Sequence, residues 1–255
     1  MKKERLAVLI GPTAVGKTAL SLALARRLDA EIISGDSMLF YRGFDIGTAK
    51  PTKEELSAVP HHFIDILAPA ASFNVMDFQR LAREEIGRIA ARGKLPLVVG
   101  GTGLYIKSLL EGYVFNETSG DRAYREKLER LAQEKGKAFV HGLLQEADPE
   151  AAARLHINDF RRVVRALEVA SLGNEHISEQ REAAGGELAY DAYVIGLRRE
   201  RQALYARIEE RVDAMLEAGF ADEVRSLLAE GVPRDCPAMK GIGYREMLAY
   251  LAGSM

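Results

Sequence analysis

The chain has 255 residues, 47% of them hydrophobic and 28% charged, and its net charge is −2. This composition is that of an ordinary globular protein, and it excludes a fibrous, low-complexity or globally basic chain. The length suits one large domain or one domain with an insertion, and any nucleic-acid partner would have to bind a local basic cluster. Because the single cysteine, Cys236, cannot form an internal disulfide and no apolar run could span a membrane, we expect a cytoplasmic protein without a membrane partner.

The first 115 residues alternate short apolar runs with helical patterns, which predicts a parallel sheet with crossover helices. The predicted strands are Leu6–Ile10, Glu31–Ser34, His62–Leu67 and Leu95–Gly101. A helix is predicted directly after Gly16. Asn74 and Asp77 have the spacing of a capping box, which predicts a second helix that ends near Gly93, and a third begins at Tyr105.

Residues 116–186 have a different pattern, because strand signals vanish there. The stretches "DRAYREKLERLAQEKG" and "NDFRRVVRALEVASLG" are helical, charged and ended by glycine. A strand returns over 190–197, and helices follow over 200–217 and 221–230. We therefore predict an α/β fold, in which residues 1–115 and 187–255 form a P-loop core with flanking helices and residues 116–186 form an all-helical insertion domain.

The stretch "GPTAVGKT" completes the phosphate-binding pattern G-x-x-x-x-G-K-[ST] between a predicted strand and a predicted helix. In such a loop the glycines allow backbone N–H groups to face an anion, and the helix N-terminus adds a favourable field. Lys17 is expected to reach the outer phosphates and Thr18 to hold Mg²⁺. The alternative is a glycine turn without a ligand, and the motif by itself indicates a polyphosphate, not a reaction.

Two further stretches follow predicted strands, "SGDSMLFYRGFDIGTAKP" and "GGTGLY". Because ligands bind at the carboxyl ends of parallel strands, we expect Asp36, Ser37 and Thr102 to lie near Lys17 and Thr18. Asp36 suits a general base, although aspartate in that position is also a common turn or cap residue. Likewise, the Thr102 hydroxyl either contacts an anion or caps the helix that follows.

Arginines form the other candidate group. Arg161 and Arg165 share a helix face with Arg162 beside it, so they form either a phosphate-contact patch, to which Arg122 and Arg125 could add, or a solvated surface with ion pairs. Arg207 and Arg211 are four residues apart on a predicted helix, and an arginine there either turns toward the phosphates or pairs with Glu210 or Glu217. His61 and His62 have no second ligand cluster at matching spacing, so we assign no zinc site.

The motifs "GPTAVGKT", "DSMLFYRGFDIGTAKP", "VVGGTGLYIKSLLEG", "INDFRRVVRALEV" and "MKGIGYRE" occur in this order, and together they resemble the bacterial tRNA dimethylallyltransferases, also called tRNA isopentenyltransferases. The resemblance extends from Leu6 to about Glu246. It implies transfer of a dimethylallyl group from dimethylallyl diphosphate to N6 of the adenine immediately 3′ of the tRNA anticodon. It also implies Mg²⁺ as the cofactor, the tRNA anticodon stem-loop as a partner and, we expect, a monomer.

The resemblance assigns roles to specific residues. The catalytic residues would be Asp36 as the base, Thr102 and Lys17. The diphosphate site would consist of Gly11, Pro12, Thr13, Ala14, Val15, Gly16, Lys17, Thr18 and Arg211, with Thr18 on the metal. The tRNA-binding residues would be Asp36, Ser37, Met38, Leu39, Thr102, Arg125, Arg161, Arg162, Val163, Val164 and Arg165.

Two departures from the family pattern bear on activity. Leu39 stands where many members have glutamine. Members also usually continue past "GYRE" with a basic helix and a tryptophan-containing segment, and this sequence has no tryptophan, so we expect transfer at a reduced rate. A P-loop nucleotide kinase, a transferase that prenylates free adenine nucleotides and an inert RNA-binding protein are the alternatives.

Overall fold

The computed structural model describes residues 3–113, 121–171 and 187–254. Its strands are β1 (Arg5–Ile10), β2 (Ala30–Ser34), β3 (His61–His62), β4 (Leu95–Gly100) and β5 (Asp191–Gly196). Its helices in the first half are α1 (Lys17–Leu28), α2 (Lys53–Ala58), α3 (Val75–Ala91), α4 (Gly103–Leu110), α5 (Arg122–Lys135) and α6 (Lys137–Ala147). The later helices are α7 (Pro149–Arg154), α8 (Phe160–Ser171), α9 (Arg201–Glu217), α10 (Phe220–Ala229) and α11 (Tyr244–Leu251), with a 3₁₀ turn over Ala238–Lys240.

The strands form one five-stranded parallel sheet in the order β3-β2-β4-β1-β5, which confirms the predicted α/β fold. Since β2, β4 and β1 are neighbours, the loops that follow these three strands emerge side by side at one edge of the sheet. Within the described residues, no helix is both long and apolar enough to cross a bilayer.

Both faces of the sheet are covered, because alternate residues of each strand face opposite layers. On β1, Leu6 and Val8 pack in one core cluster with α3 and α4, while Ala7 and Leu9 pack in another with α1. The apolar runs of β1, β2 and β4 therefore have the continuous form that a parallel sheet requires.

The strand predicted over His62–Leu67 is wrong. Regular pairing stops at His62, because Phe63 and Asp65 have positive φ angles of 68° and 56° and cannot continue a ladder. The chain returns to the sheet only through a single bridge between Leu67 and Tyr41. The other predicted strands and helices agree with the described elements to within a few residues, and the capping box of Asn74 and Asp77 is present at the start of α3.

The chain divides into two compact units, Met1–Leu110 with Leu188–Met255, and Glu111–Glu187. The first unit contains the sheet and a separate apolar cluster formed by Tyr41, Phe44, Phe220 and Tyr244 with their neighbours on α10 and α11. In the second unit, α5 to α8 pack around their own core, which includes Val140. The predicted boundaries of the insertion, 116 and 186, lie outside the described residues.

Candidate functional site

The P-loop joins β1 to α1 and turns through a left-handed backbone. Gly16, at the start of α1, has a φ of 109°, and Ala14 has a φ of 59°. The Lys17 ammonium folds back over this loop and donates hydrogen bonds to the carbonyls of Gly11 and Pro12, both at 2.8 Å. Two of its three donors are used in this way, so the remaining one is available to an anion held by the loop.

The turns after β2 and β4 meet at the edge of the sheet where the P-loop begins. The Ser37 amide donates to Thr102 Oγ1 at 3.2 Å, and the Thr102 amide donates to the Gly35 carbonyl at 3.4 Å. Gly100 is required for this approach, since a Cβ there would lie 2.3 Å from the Gly35 carbonyl oxygen. The Thr102 hydroxyl thus links the two turns, in addition to its backbone carbonyl accepting from the next helical turn.

Asp36 takes the turn role that its position in the sequence suggested. Its Oδ1 accepts a hydrogen bond from the Met38 amide at 3.1 Å, which is the turn role. The carboxylate is only partly buried and lines a pocket, so it remains accessible to a ligand. Burial lowers the pKa of the Lys17 ammonium below its ordinary value, while the negative charge of Asp36 raises this pKa and the positive charge of Arg211 lowers it further. The charges of Lys17, Asp36 and Arg211 are therefore close enough to affect one another.

Two arginines of α9 reach the same edge of the sheet. Arg211 donates to the Thr48 carbonyl at 3.2 Å, and burial lowers its pKa while Asp36 opposes that shift. Arg207, one helical turn earlier, donates from Nε to the Ala14 carbonyl of the P-loop at 2.8 Å. Arg211 thus turns toward the phosphate loop and makes its hydrogen bond to backbone. Sequence reasoning did not assign Arg207 to the site, although its spacing of four residues from Arg211 was a signal.

A pocket of about 710 Å³ has Asp36 and Arg211 among its lining residues. The polar part of its lining, the polar wall, also includes Thr13, Ser37 and Lys240. The apolar part, the apolar wall, is formed mainly by side chains of α9, α10 and α11, together with Met38: Ile208, Val212, Met215, Leu216, Phe220, Met247 and Tyr250. The pocket can therefore hold a ligand with an anionic end and an apolar end.

Thr18 provides the oxygen expected for a metal. It lies in the first turn of α1, directly after Lys17, and its side chain is exposed. Mg²⁺ keeps several waters and takes one or two protein oxygens plus phosphate oxygens, so a single threonine hydroxyl beside a phosphate loop fits that ion. His62 contacts the carboxylates of Glu31 and Glu85, and within the described part of the chain no cluster of three or more His, Cys, Asp and Glu residues could hold a metal.

An acidic residue that sequence reasoning missed holds the loop that contacts Arg211. Glu223 of α10 accepts hydrogen bonds from the amides of Asp45, Ile46 and Gly47 at 2.9, 2.6 and 3.3 Å. It also accepts from the buried Tyr244 hydroxyl at 2.5 Å. The stretch "ADEVRSLL" contains no pattern that would have indicated this role, because the bonds join residues about 180 positions apart.

The arginines of the helical unit divide into two groups. Arg125 of α5 forms a two-bond ion pair with Glu168 of α8, at 2.7 and 2.9 Å, and Arg165 donates to the same carboxylate at 2.6 Å. Arg161 and Arg162 are exposed and line a separate pocket at the start of α8. Arg125 and Arg165 therefore form the ion pairs expected of a solvated surface, while their side chains stay about half exposed.

Other residues in the expected tRNA-binding set differ in exposure. Val163 and Val164 are 0% and 6% exposed in the core of the helical unit, so their side chains cannot contact RNA and instead hold α8 in place. Met38 lines the pocket of the first unit, and Leu39 is partly buried beside it in sequence. The side chain of Arg122 lies outside the described part of the structure.

Comparisons with known proteins agree on one family. The family described as IPP transferase matches residues 39–255, and the family described as isopentenyl transferase matches residues 4–70. The chain is 52% identical over 254 residues to the tRNA dimethylallyltransferase of Bacillus velezensis, covering 100% of this chain and 81% of that protein. It is also 52% identical over 253 residues to the protein of the same name from Bacillus cytotoxicus, of which it covers 80%.

Solved structures give the same result. The tRNA isopentenylpyrophosphate transferase of Bacillus halodurans superposes with a TM-score of 0.70 at 47% identity, covering 99% of this chain and 79% of that one. A eukaryotic dimethylallyltransferase described as acting on tRNA superposes with a TM-score of 0.82 at 29% identity, covering 98% of this chain and 64% of that one.

Proposed function

Because this chain belongs to the tRNA dimethylallyltransferase family, we propose that it transfers a dimethylallyl group from dimethylallyl diphosphate to N6 of the adenine immediately 3′ of the anticodon in tRNA. The observation that carries the proposal is the pocket of the first unit. Thr13 of the phosphate loop, the Arg211 cation and the Asp36 carboxylate line it together with an apolar wall, and Lys17 folds over the same loop. An allylic diphosphate has both chemical characters, and an aspartate at the polar wall suits an amine acceptor.

In the proposed reaction, the bond between the allylic carbon and the diphosphate oxygen breaks as the bond to N6 forms. Negative charge grows on the leaving oxygen, and Lys17 and Arg211 stabilise it together with the P-loop amides. Arg207 supports this loop by its hydrogen bond to the Ala14 carbonyl. The apolar wall orients the isoprenoid and excludes water that would otherwise capture the allylic carbon.

Asp36 performs the proton transfer. The lone pair of an adenine amino group is delocalised, so N6 becomes a good nucleophile only as its proton leaves. The Asp36 carboxylate accepts that proton, while its Oδ1 bond to the Met38 amide keeps it oriented. Thr102 accepts a hydrogen bond from the Ser37 amide and thereby holds the turn that carries the base.

The metal expected at this site is Mg²⁺, with the Thr18 hydroxyl as its protein ligand. When bound, it would supply Lewis-acid neutralisation of the leaving diphosphate. The donor set fits that ion, since it is a hard oxygen beside a phosphate loop.

The arginines of the helical unit are the proposed RNA contacts. Arg125, Arg161, Arg162 and Arg165 all have exposed guanidinium surface, and phosphate contacts by arginine fix the register of a nucleic acid. The target adenine has to leave its stack to enter an enclosed pocket, which costs a few kcal/mol or less for an unpaired base.

Acceptor competition tests the function. The chain is incubated with Mg²⁺, labelled dimethylallyl diphosphate and an unmodified anticodon stem-loop, with AMP and ATP present as rival acceptors. Label is expected on the stem-loop, and only when adenine follows the anticodon. A stem-loop with guanine at that position is the matched control, because it keeps the phosphates and removes the acceptor.

Each of the other outcomes would assign a different function to the chain. Label on AMP or ATP would identify a free-nucleotide transferase. Transfer of phosphate from labelled ATP, with the isoprenoid ignored, would identify a kinase. Binding of the stem-loop without transfer to any acceptor would leave an RNA-binding protein.

A further inference from the structure

Two ion pairs described in the helical unit share one buried carboxylate. The side chain of Glu168 on α8 is 0% exposed, whereas Arg125 and Arg165 are 45% and 42% exposed. A carboxylate is seldom fully buried unless it is paired. Here it is paired from two elements, since Arg125 comes from α5 and Arg165 from α8.

The hydrogen bonds leave much of each arginine available. A guanidinium has five N–H donors in a planar fork. Arg125 gives Glu168 two of them, from Nε and Nη2, and Arg165 gives one, from Nη1. Counting these bonds alone, three donors of Arg125 and four of Arg165 remain for another anion, and both side chains have exposed surface where that anion could bind.

Glu168 also solves an electrostatic problem. Two guanidinium groups within hydrogen-bond distance of one carboxylate repel each other, and the carboxylate between them offsets that repulsion. Burial alone would raise the pKa of the Glu168 carboxyl, but the hydrogen bonds and charges of Arg125 and Arg165 outweigh it and hold the pKa below its ordinary value. The carboxylate is therefore ionised at neutral pH, and the three side chains together carry one net positive charge.

We propose that Glu168 is a positioning residue for RNA recognition, which fixes the guanidinium planes of Arg125 and Arg165 so that their free edges meet successive phosphates of the anticodon stem-loop. The inference rests on the proposed function, because it takes those two arginines as RNA contacts. Glu168 itself does not contact the RNA. It converts two flexible cations into a preorganised pair, and less side-chain entropy is then lost on binding.

This proposal makes a prediction opposite in sign to that of simple electrostatics. Glu168→Gln removes a negative charge from an RNA-binding unit, which by charge alone strengthens attraction to a polyanion. Glutamine has nearly the same shape, but its amide would place a donor against a guanidinium and break part of the pairing. We expect the KM for the stem-loop to rise about tenfold, the effect of losing one charged hydrogen bond, with kcat at saturating RNA and the KM for dimethylallyl diphosphate unchanged.

Two controls separate positioning from folding and from charge. Glu146→Gln removes the same charge from exposed α6 in the same unit, and it should leave the stem-loop KM unchanged or lower it. Glu168→Asp keeps the charge and withdraws the carboxylate by one methylene, so a smaller rise in KM is expected. Glu168→Asp also serves as the test variant if Glu168→Gln does not fold, as judged by circular dichroism and thermal melting.

Direct binding measurements complete the test. Glu168→Gln and Glu146→Gln are each titrated with the stem-loop and, separately, with heparin as a polyanion without defined phosphate spacing. Weaker stem-loop binding with unchanged or tighter heparin binding by Glu168→Gln supports positioning. Unchanged or tighter stem-loop binding by a folded Glu168 variant overturns it. Failure of the wild-type chain to prenylate RNA would instead count against the proposed function, since the binding arm needs no turnover.

Discussion

The candidate arginines of the two units are held in different ways. At the edge of the sheet, Arg207 and Arg211 donate to the backbone carbonyls of Ala14 and Thr48. In the helical unit, Arg125 and Arg165 share the buried carboxylate of Glu168. Carbonyls orient a cation without cancelling its charge, whereas a carboxylate orients it more firmly and cancels one of two charges.

This difference matches the two tasks that the proposed function assigns to these arginines. A leaving diphosphate gains negative charge during the reaction, so the site that ionises it benefits from full positive charge. RNA phosphates do not change charge on binding, so a surface that recognises them benefits more from fixed geometry and less from added charge. Substitutions that remove charge should therefore affect turnover in the first unit and affinity in the second.

The largest expected effect comes from Asp36→Asn. The asparagine oxygen can still accept from the Met38 amide, so the turn is retained while the base is lost. We expect kcat to fall about 10²- to 10⁴-fold with RNA affinity little changed, as measured by single-turnover transfer and by stem-loop titration. Asp213→Asn on exposed α9 is the matched charge control. Near-normal turnover of the Asp36 variant would remove this residue from proton transfer.

Arg211→Ala should have the next largest effect and should separate the two units. Because it removes a cation from the leaving group, we expect kcat/KM for dimethylallyl diphosphate to fall about 10²-fold, with the stem-loop KM unchanged. Arg211→Lys should recover only part of the loss, since a lysine lacks the planar fork that serves a carbonyl and an anion together. An equal loss of RNA affinity would contradict the division of tasks.

Arg161→Ala combined with Arg165→Ala should weaken RNA binding about tenfold and reduce the salt slope of log K by about 1 to 2, since two phosphate contacts are lost. Arg26→Ala with Arg27→Ala, at the exposed end of α1, removes the same charge from the other unit and is the control. If both pairs reduced the slope equally, the helical arginines would be only a part of the general surface charge.

The smallest effect concerns acid stability. The pKa of Glu168 lies below its ordinary value of 4.5 in the folded chain, so its ionised form stabilises the fold above that pH. This contribution is lost as the pH falls below 4.5 through the folded-state pKa. In thermal melts from pH 7 down to 3, the melting temperature of the wild type should fall by more degrees than that of Glu168→Gln. Parallel curves would show that the pairing adds no stability that depends on pH.

Much of the first unit was predictable because its signals are local. The P-loop pattern and the capping box of α3 depend on residues within a few positions of each other, and the burial of β1 on both faces follows from its continuous apolar run. The strand predicted over His62–Leu67 was wrong because the run looks extended, while positive φ angles at Phe63 and Asp65 arise from how the loop packs. Whether an apolar run stays in the ladder depends on its tertiary neighbours.

The helical unit shows the same limit for charged residues. The pairing of Arg165 with Glu168 could be predicted from their spacing of three residues on α8. The pairing of Arg125 with the same carboxylate could not, because Arg125 comes from another helix. The burial of Val163 and Val164 also decided that two of the expected RNA contacts support the core instead.

The sequence by itself determined the phosphate loop, the alternation of most strands and helices around the sheet and the chemical character of the candidate base, because each depends on residue type and short spacing. Only the tertiary structure decided which cations converge on the pocket, which are bound to a buried carboxylate, and that Glu223 holds a loop far away in sequence. The physical reason is that a side chain's hydrogen-bond partner is set by the packing of elements distant in the chain, and spacing along the chain does not encode that distance.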